Sequence, residues 1–268
     1  MQAIGYEMQS LGILSIATNK YIDYWRDQAE SVDLHLGPTL PVTLHIFTDR
    51  PADAEAIGSN LRNVKVMIHE IPPLVWPEAT LHRFKVFNEH AHLLVEDFLM
   101  YLDADMVVHK PFGRDITAPG ADVTLVKHPG YFRPRFPQKL TLYALNPKLF
   151  FADLNLQRRF GGIGAWETRK ASTAFVQRED RVNYYCGGIW WGKGFAILSL
   201  IEELKIKVEL DEAKSMMAVW HDESHLNRWG AENKARFLDP RFCYSLGYKW
   251  LKQLPNVVQA IDKVDVSR

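Results

Sequence analysis

Four short apolar runs dominate the first 110 residues: "LGILSIAT" (11–18), "PVTLHIFTD" (41–49), "NVKVMIHEI" (63–71) and "FLMYLDADMVV" (98–108). Between them lie stretches with helical spacing of apolar residues. "NKYIDYWRDQAESV" (19–32) suits an amphipathic helix, and "LHRFKVFNEHAHLLVE" (81–96) reads as a helix that delivers the chain into the fourth run. Turn signals close the strands, "DRP" after the second and Pro72–Pro73 after the third. Strand alternating with helix predicts an α/β fold with a mainly parallel, doubly wound, Rossmann-like sheet. In such sheets ligands bind beyond the carboxyl ends of the strands.

The second half is less regular. "ADVTLV" (121–126) reads as another strand, residues 129–170 as irregular structure or short helices, and "FAILSLIEELKIKVELDEAKS" (195–215) as a helix. At 47% hydrophobic residues the 268-residue chain can bury a large core. Its zero net charge argues against a nucleic-acid partner held by a basic footprint. Cys186 and Cys243 are too few for a disulfide framework or a structural zinc site. The first twenty residues lack the pattern of a signal peptide, and no apolar stretch approaches the ~20 residues needed to span a bilayer. A soluble, cytoplasmic protein without a membrane anchor is therefore expected.

Asp103 and Asp105 interrupt the fourth apolar run one residue apart. In an extended strand, residues i and i+2 face the same side, ~6.5–7 Å apart, so the two carboxylates could converge on one cation where the strand ends. Carboxylates favour hard cations such as manganese or magnesium, which commonly complete their shell with phosphate oxygens. The alternative is structural: one acid faces water while the other accepts backbone N–H bonds.

A second concentration of titratable groups is "WHDESH" (220–225). His221 and His225 stand at i,i+4, as in a zinc-hydrolase helix, but that motif wants Glu directly after the first His and a third ligand downstream. Alternatively, Asp222 and Glu223 form a carboxylate pair that acts on a sugar, with Trp220 as a stacking platform; retaining sugar chemistry places one carboxylate at the anomeric carbon. Structurally, the same residues could cap a helix N-terminus, Asp222 capping and Glu223 near the positive end of the dipole.

Together "WHDESHLNRW" (220–229), "HIFTDRP" (45–51), "YLDADMVV" (101–108), "HPGYF" (128–132) and "YYCGG" (184–188) resemble glycosyltransferase family 6, which includes the blood-group A and B transferases. The similarity runs from about Gly12 to the C-terminus. It implies one GT-A catalytic domain over residues 1–268, with a nucleotide-binding half to about 110 and a sugar- and acceptor-binding half over 111–268. It also implies a UDP-sugar donor, manganese (or magnesium), retention at the anomeric carbon and α-1,3 transfer to a galactose-terminated glycan.

Carried over by position, Asp103 and Asp105 would hold the metal and the diphosphate, and Ile16, Thr18 and Tyr21 would line the uridine pocket. Arg83 and Asp222 would contact the donor sugar, and Glu223 would be the catalytic carboxylate. His128 and Trp220 would contact the acceptor; Lys263 and Arg268 match basic residues that close over the diphosphate. Some bacterial members replace both aspartates with asparagine and need no metal, so the intact pair implies metal dependence. Ala165 and Ser245 stand where the mammalian blood-group enzymes have threonine and aspartate, which implies a different acceptor. Bulk at the positions of Cys186 and Gly188, which flank Gly187, separates galactose from N-acetylgalactosamine donors in this family. Gly188 leaves room for an acetamido group, which favours UDP-GalNAc over UDP-Gal, although the two glycines could equally serve a tight turn. A catalytically inactive sugar-nucleotide or glycan-binding protein, and a zinc hydrolase using His221 and His225, stand as the alternatives.

Overall fold

The structure is a computed structural model and describes residues 9–75 and 77–261. In chain order its elements begin β1 (Leu11–Ile16), α1 (Tyr21–His35), β2 (Val42–Thr48), α2 (Pro51–Gly58) and β3 (Val64–Glu70). They continue with α3 (Glu78–Leu81), α4 (Arg83–Glu89), β4 (Phe98–Leu102), β5 (Met106–Val108) and α5 (Gly113–Ile116). Next come β6 (Val123–Lys127), α6 (Gln138–Leu145), α7 (Pro147–Phe160), β7 (Tyr185–Lys193) and α8 (Gly194–Glu212). The last three are α9 (His221–Glu232), β8 (Arg236–Leu238) and β9 (Val258–Ala260).

Seven strands form one sheet in the order β3-β2-β1-β4-β7-β6-β8. All run parallel except β7, which pairs antiparallel with both β4 and β6. This is the mainly parallel Rossmann-like sheet expected from the sequence. Position in the sheet explains the strand patterns: central β1 and β4 are buried at every residue, whereas edge strand β3 alternates.

Each face of the sheet carries its own apolar layer. Leu11, Ile13, Met100 and Trp191 meet Ile22, Trp25 and Val32 of α1 on one side. On the other, Leu14, Tyr101 and Trp190 meet Phe84 and Phe87 of α4, Ile197 and Leu204 of α8, and Leu226 of α9. Alternate residues of each strand thus serve opposite layers. Fully burying each Leu, Ile or Phe stabilises the fold by about 1.5–3 kcal/mol.

Two expected elements differ. The helix over 81–96 breaks at His82, where φ is −93° and ψ 7°, and His82 Nε2 is fastened 2.6 Å from Glu212 Oε1 at the end of α8. Residues 129–170, expected as irregular or short helices, contain a 14-residue helix, α7. Pro147 at its first turn and Gly161 in the left-handed region (φ 77°) at its end are the stop signals such a helix uses.

Candidate active site

The run "FLMYLDADMVV" is not one strand. β4 ends at Leu102; Asp103, Ala104 and Asp105 form a turn closed by the Met106 amide on the Asp103 carbonyl (3.0 Å), and β5 leaves the main sheet to pair with β9. The two carboxylates therefore stand on a turn rather than on an extended strand. Gln28 of α1 fixes this turn from behind: its Nε2 donates to the Asp103 carbonyl at 2.6 Å. From β7, the Gly188 carbonyl accepts from the Asp103 amide at 2.9 Å.

A cleft of about 490 Å³ opens beyond the carboxyl ends of β1 and β4. Ile16, Thr18, Tyr21, Arg83, Asp103 and Asp105 all line it, so six residues spread over ninety positions meet at one cavity. Lys20 also lines it, a cation that the sequence did not single out.

Arg83 is the hub. It opens α4, is almost wholly buried, and places Nη1 3.2 Å from Asp222 and Nη2 3.5 Å from Asp103. Nη1 also donates to the Gly187 carbonyl at 3.1 Å, and the guanidinium lies 4.3 Å above the Tyr101 ring. The Tyr101 hydroxyl donates to Asp103 Oδ1. Tyr101 was missed in the sequence, although it stands two residues before Asp103 within the same run.

Asp222 and Glu223 begin α9, but neither caps it through its side chain. They point into the protein instead. Glu223 Oε2 accepts from the Gly187 amide at 2.8 Å and Oε1 from the Tyr184 hydroxyl at 2.9 Å. Asn227, one turn on, bonds the carbonyl and amide of Tyr185 and the Glu223 carbonyl, which clamps α9 onto β7. His221 holds φ at +46°, a strained value for a residue with a side chain, where α9 starts beside the carboxylates. Burial pushes Asp222 up to about 7 against the pull of Arg83. Burial likewise pushes Glu223 up to about 7, against the Gly187 amide and the Tyr184 hydroxyl.

Of the acceptor candidates, His128 and Ala165 meet at Tyr184, the partner of Glu223. The His128 ring lies 4.9 Å from that of Tyr131 and 5.9 Å from that of Tyr184, and burial lowers its pKa to about 4. The Ala165 carbonyl stands 3.4 Å from the Tyr184 hydroxyl, and Trp220, half exposed, precedes α9. Ser245 lies in the loop whose Tyr248 approaches Gly130. Lys263 and Arg268 lie outside the described residues.

Two expectations need correction. Cys186 faces the core rather than the cleft, its Sγ 2.8 Å from that of Cys243. At Gly188 a Cβ would stand 2.6 Å from Asp103 Oδ2, so the missing side chain already makes room for that carboxylate. Arg133 pairs bidentately with Asp153, at 2.6 and 2.7 Å.

Asp103 and Asp105 suit a divalent cation by donor chemistry, being hard oxygens on one turn at a cleft wall. Among the described residues no three His, Cys, Asp or Glu side chains cluster to hold a metal, so phosphate or water would complete the shell. His225 is buried between Thr173 Oγ1 (3.5 Å) and Asp211 (3.9 Å), which leaves the zinc-hydrolase reading without a third ligand there.

The sequence profile of glycosyltransferase family 6 matches residues 5–144 and 144–267. The chain belongs to glycosyltransferase family 6. Its mainly parallel α/β sheet is the GT-A fold of such enzymes. It is 26% identical to the human globoside alpha-1,3-N-acetylgalactosaminyltransferase 1 over 88% of this chain and 61% of that one. The rat histo-blood group ABO system transferase 2 is 26% identical over 97% of this chain and 70% of its own length. The Escherichia coli O-antigen biosynthesis glycosyltransferase WbnI is 24% identical over 89% of both chains. The alignment thus spans about three fifths of the human globoside transferase. Among the described residues no helix is long and apolar enough to cross a membrane.

Proposed function

We propose that this protein is a retaining, metal-dependent glycosyltransferase that moves GalNAc or Gal from a UDP-sugar in α-1,3 linkage to a galactoside. One arrangement carries the reading. Arg83 spans the Asp103 turn and Asp222, and Glu223 beside it is held by two hydrogen bonds at the end of the same β7 segment.

Ile16, Thr18 and Tyr21 would receive the uridine, and the diphosphate would then lie against the Asp103–Asp105 turn; Lys20 lines the same cleft. A divalent cation held by Asp103 and Asp105 would neutralise charge gathering on the departing UDP. Arg83, almost wholly buried at the cleft wall, would hold Asp222 in place for the donor sugar. Glu223, once ionised, supports positive charge on the anomeric carbon as the bond to phosphate breaks. The new bond forms to the acceptor hydroxyl on the same face, and that hydroxyl's proton leaves with UDP. His128, neutral at physiological pH, and Trp220, with an exposed indole, would orient the acceptor. The relatives' printed activities, α-1,3-N-acetylgalactosaminyl transfer and blood-group transfer, support the sugar and linkage class.

The test is UDP release from UDP-GalNAc and UDP-Gal with manganese and a panel of fucosylated and plain galactosides. Acceptor-dependent release that EDTA abolishes is expected. Bound zinc with no effect of UDP-sugars would overturn the reading, and UDP-sugar binding without turnover would point to a binding protein.

A further inference from the structure

Helices α6 and α7 form a hairpin that buries little for two ordered elements. No side chain of α6 is buried, and in α7 only Asp153 is. Short helices are marginal in water without an apolar face to bury. Yet this pair and the residue leading into it leave apolar side chains in solvent: Phe136, just before α6 (75% exposed), Leu140 (57%), Leu145 (76%) and Phe151 (65%).

Its charge is equally one-sided. Residues 133–160 hold six bases and one acid, for a net +5, in a chain whose total is zero. The acid, Asp153, is already paired with Arg133. Arg135, Lys139, Lys148, Arg158 and Arg159 form no ion pair among the described residues. In α7 the spacing separates the faces: Leu149, Asp153, Leu156 and Phe160 turn inward, whereas Lys148, Phe151, Asn155 and Arg158 lie along the exposed side.

We propose that the α6–α7 hairpin docks this protein onto an anionic lipid bilayer. Exposed aromatic and aliphatic side chains set among unpaired cations match an interface of acyl chains beneath anionic headgroups. Each Lys or Arg near such a surface adds to the attraction, which falls off as salt screens it. A second copy is the poorer occupant, because two faces carrying the same excess of positive charge repel each other.

The hairpin also leads directly to the site. Arg133 at its base donates to the carbonyls of Gly130 and Phe132, and the neighbouring Tyr131 ring packs 5.0 Å from Tyr184, the partner of Glu223. If the proposed function holds, docking turns the acceptor side toward the bilayer.

Docking is tested without turnover, so its outcome is independent of the catalytic reading. The full chain is floated with vesicles of phosphatidylcholine alone or mixed with phosphatidylglycerol, at low and high salt. Binding to the anionic vesicles only, weakened by salt, is expected, with a loss of about tenfold or more in Lys148→Glu/Arg158→Glu. Phe151→Ser, which adds no charge, should weaken it by several fold while UDP affinity stays unchanged. Equal partition onto both vesicle types, no flotation, or variants that bind like the parent would each overturn the proposal. So would self-association lost in the same variants without vesicle binding.

Discussion

The Gly187 amide donates to Glu223 Oε2 at 2.8 Å, joining the glycine pair of β7 to the first turn of α9. With the Tyr184 hydroxyl on Oε1, both carboxylate oxygens are held before any substrate arrives. That order costs burial, which the carboxyl's raised pKa records. A carboxylate so placed is preorganised for positive charge that appears only in the transition state.

Glu223→Gln keeps the shape and both hydrogen bonds, because the amide oxygen can accept from Gly187 and the amide N–H can donate to Tyr184. Only the charge is lost. Transfer is expected to fall by about 100-fold or more while manganese-dependent UDP binding stays near the parent's, read by steady-state kinetics and calorimetric titration.

The same substitution should stabilise the protein above neutral pH. The folded Glu223 carboxyl ionises near 7 rather than its ordinary 4.5, so the native state holds its proton more tightly than the unfolded chain. Stability from this group is therefore complete below about pH 4.5 and lost as pH rises through about 7. At pH 8, Glu223→Gln is expected to gain on the order of 2 kcal/mol, or roughly 5 °C in Tm, and little at pH 4.5. A lower Tm for the variant at pH 8 would contradict this.

Gly188→Ala separates two explanations of that glycine. Its Cβ would press on Asp103 Oδ2 at 2.6 Å, so binding of UDP-Gal and UDP-GalNAc should weaken alike, by about tenfold. If the glycine served chiefly to admit an acetamido group, only UDP-GalNAc would suffer.

Arg83→Met should be severe. It leaves Asp222 buried and uncompensated beside Asp103, a change that costs about 3–5 kcal/mol, and thermal unfolding should report it. Combining it with Asp222→Asn should restore part of the stability and none of the transfer.

The parallel sheet was legible because β1, β2 and β4 are apolar runs and turn signals close β2 and β3. The aspartate pair was legible as chemistry but not as geometry. Nothing local in "LDADM" says that Met106 will close a turn onto Asp103 and carry β5 out of the sheet, since that depends on pairing with β9, 150 residues away. Arg83 drew notice through the resemblance, yet its role as hub depends on a helix break fixed by Glu212, beyond any local pattern. Tyr101 could have been found, since residues i and i+2 of a strand share a face. The α7 boundaries were also signalled by Asn146–Pro147 and Gly161, but the dense Pro, Arg and aromatic residues around them read as irregular chain.

The configuration of the new glycosidic bond tests the central claim most directly. With UDP-GalNAc or UDP-Gal, manganese and a galactoside, the product's anomeric proton is read by NMR during turnover. The proposed function, with Glu223 beside Arg83 and the Asp103 turn, predicts an α-linked product from the α-linked donor, absent with Glu223→Gln. A β-linked product, or an α-linked one formed equally well by Glu223→Gln, would contradict it.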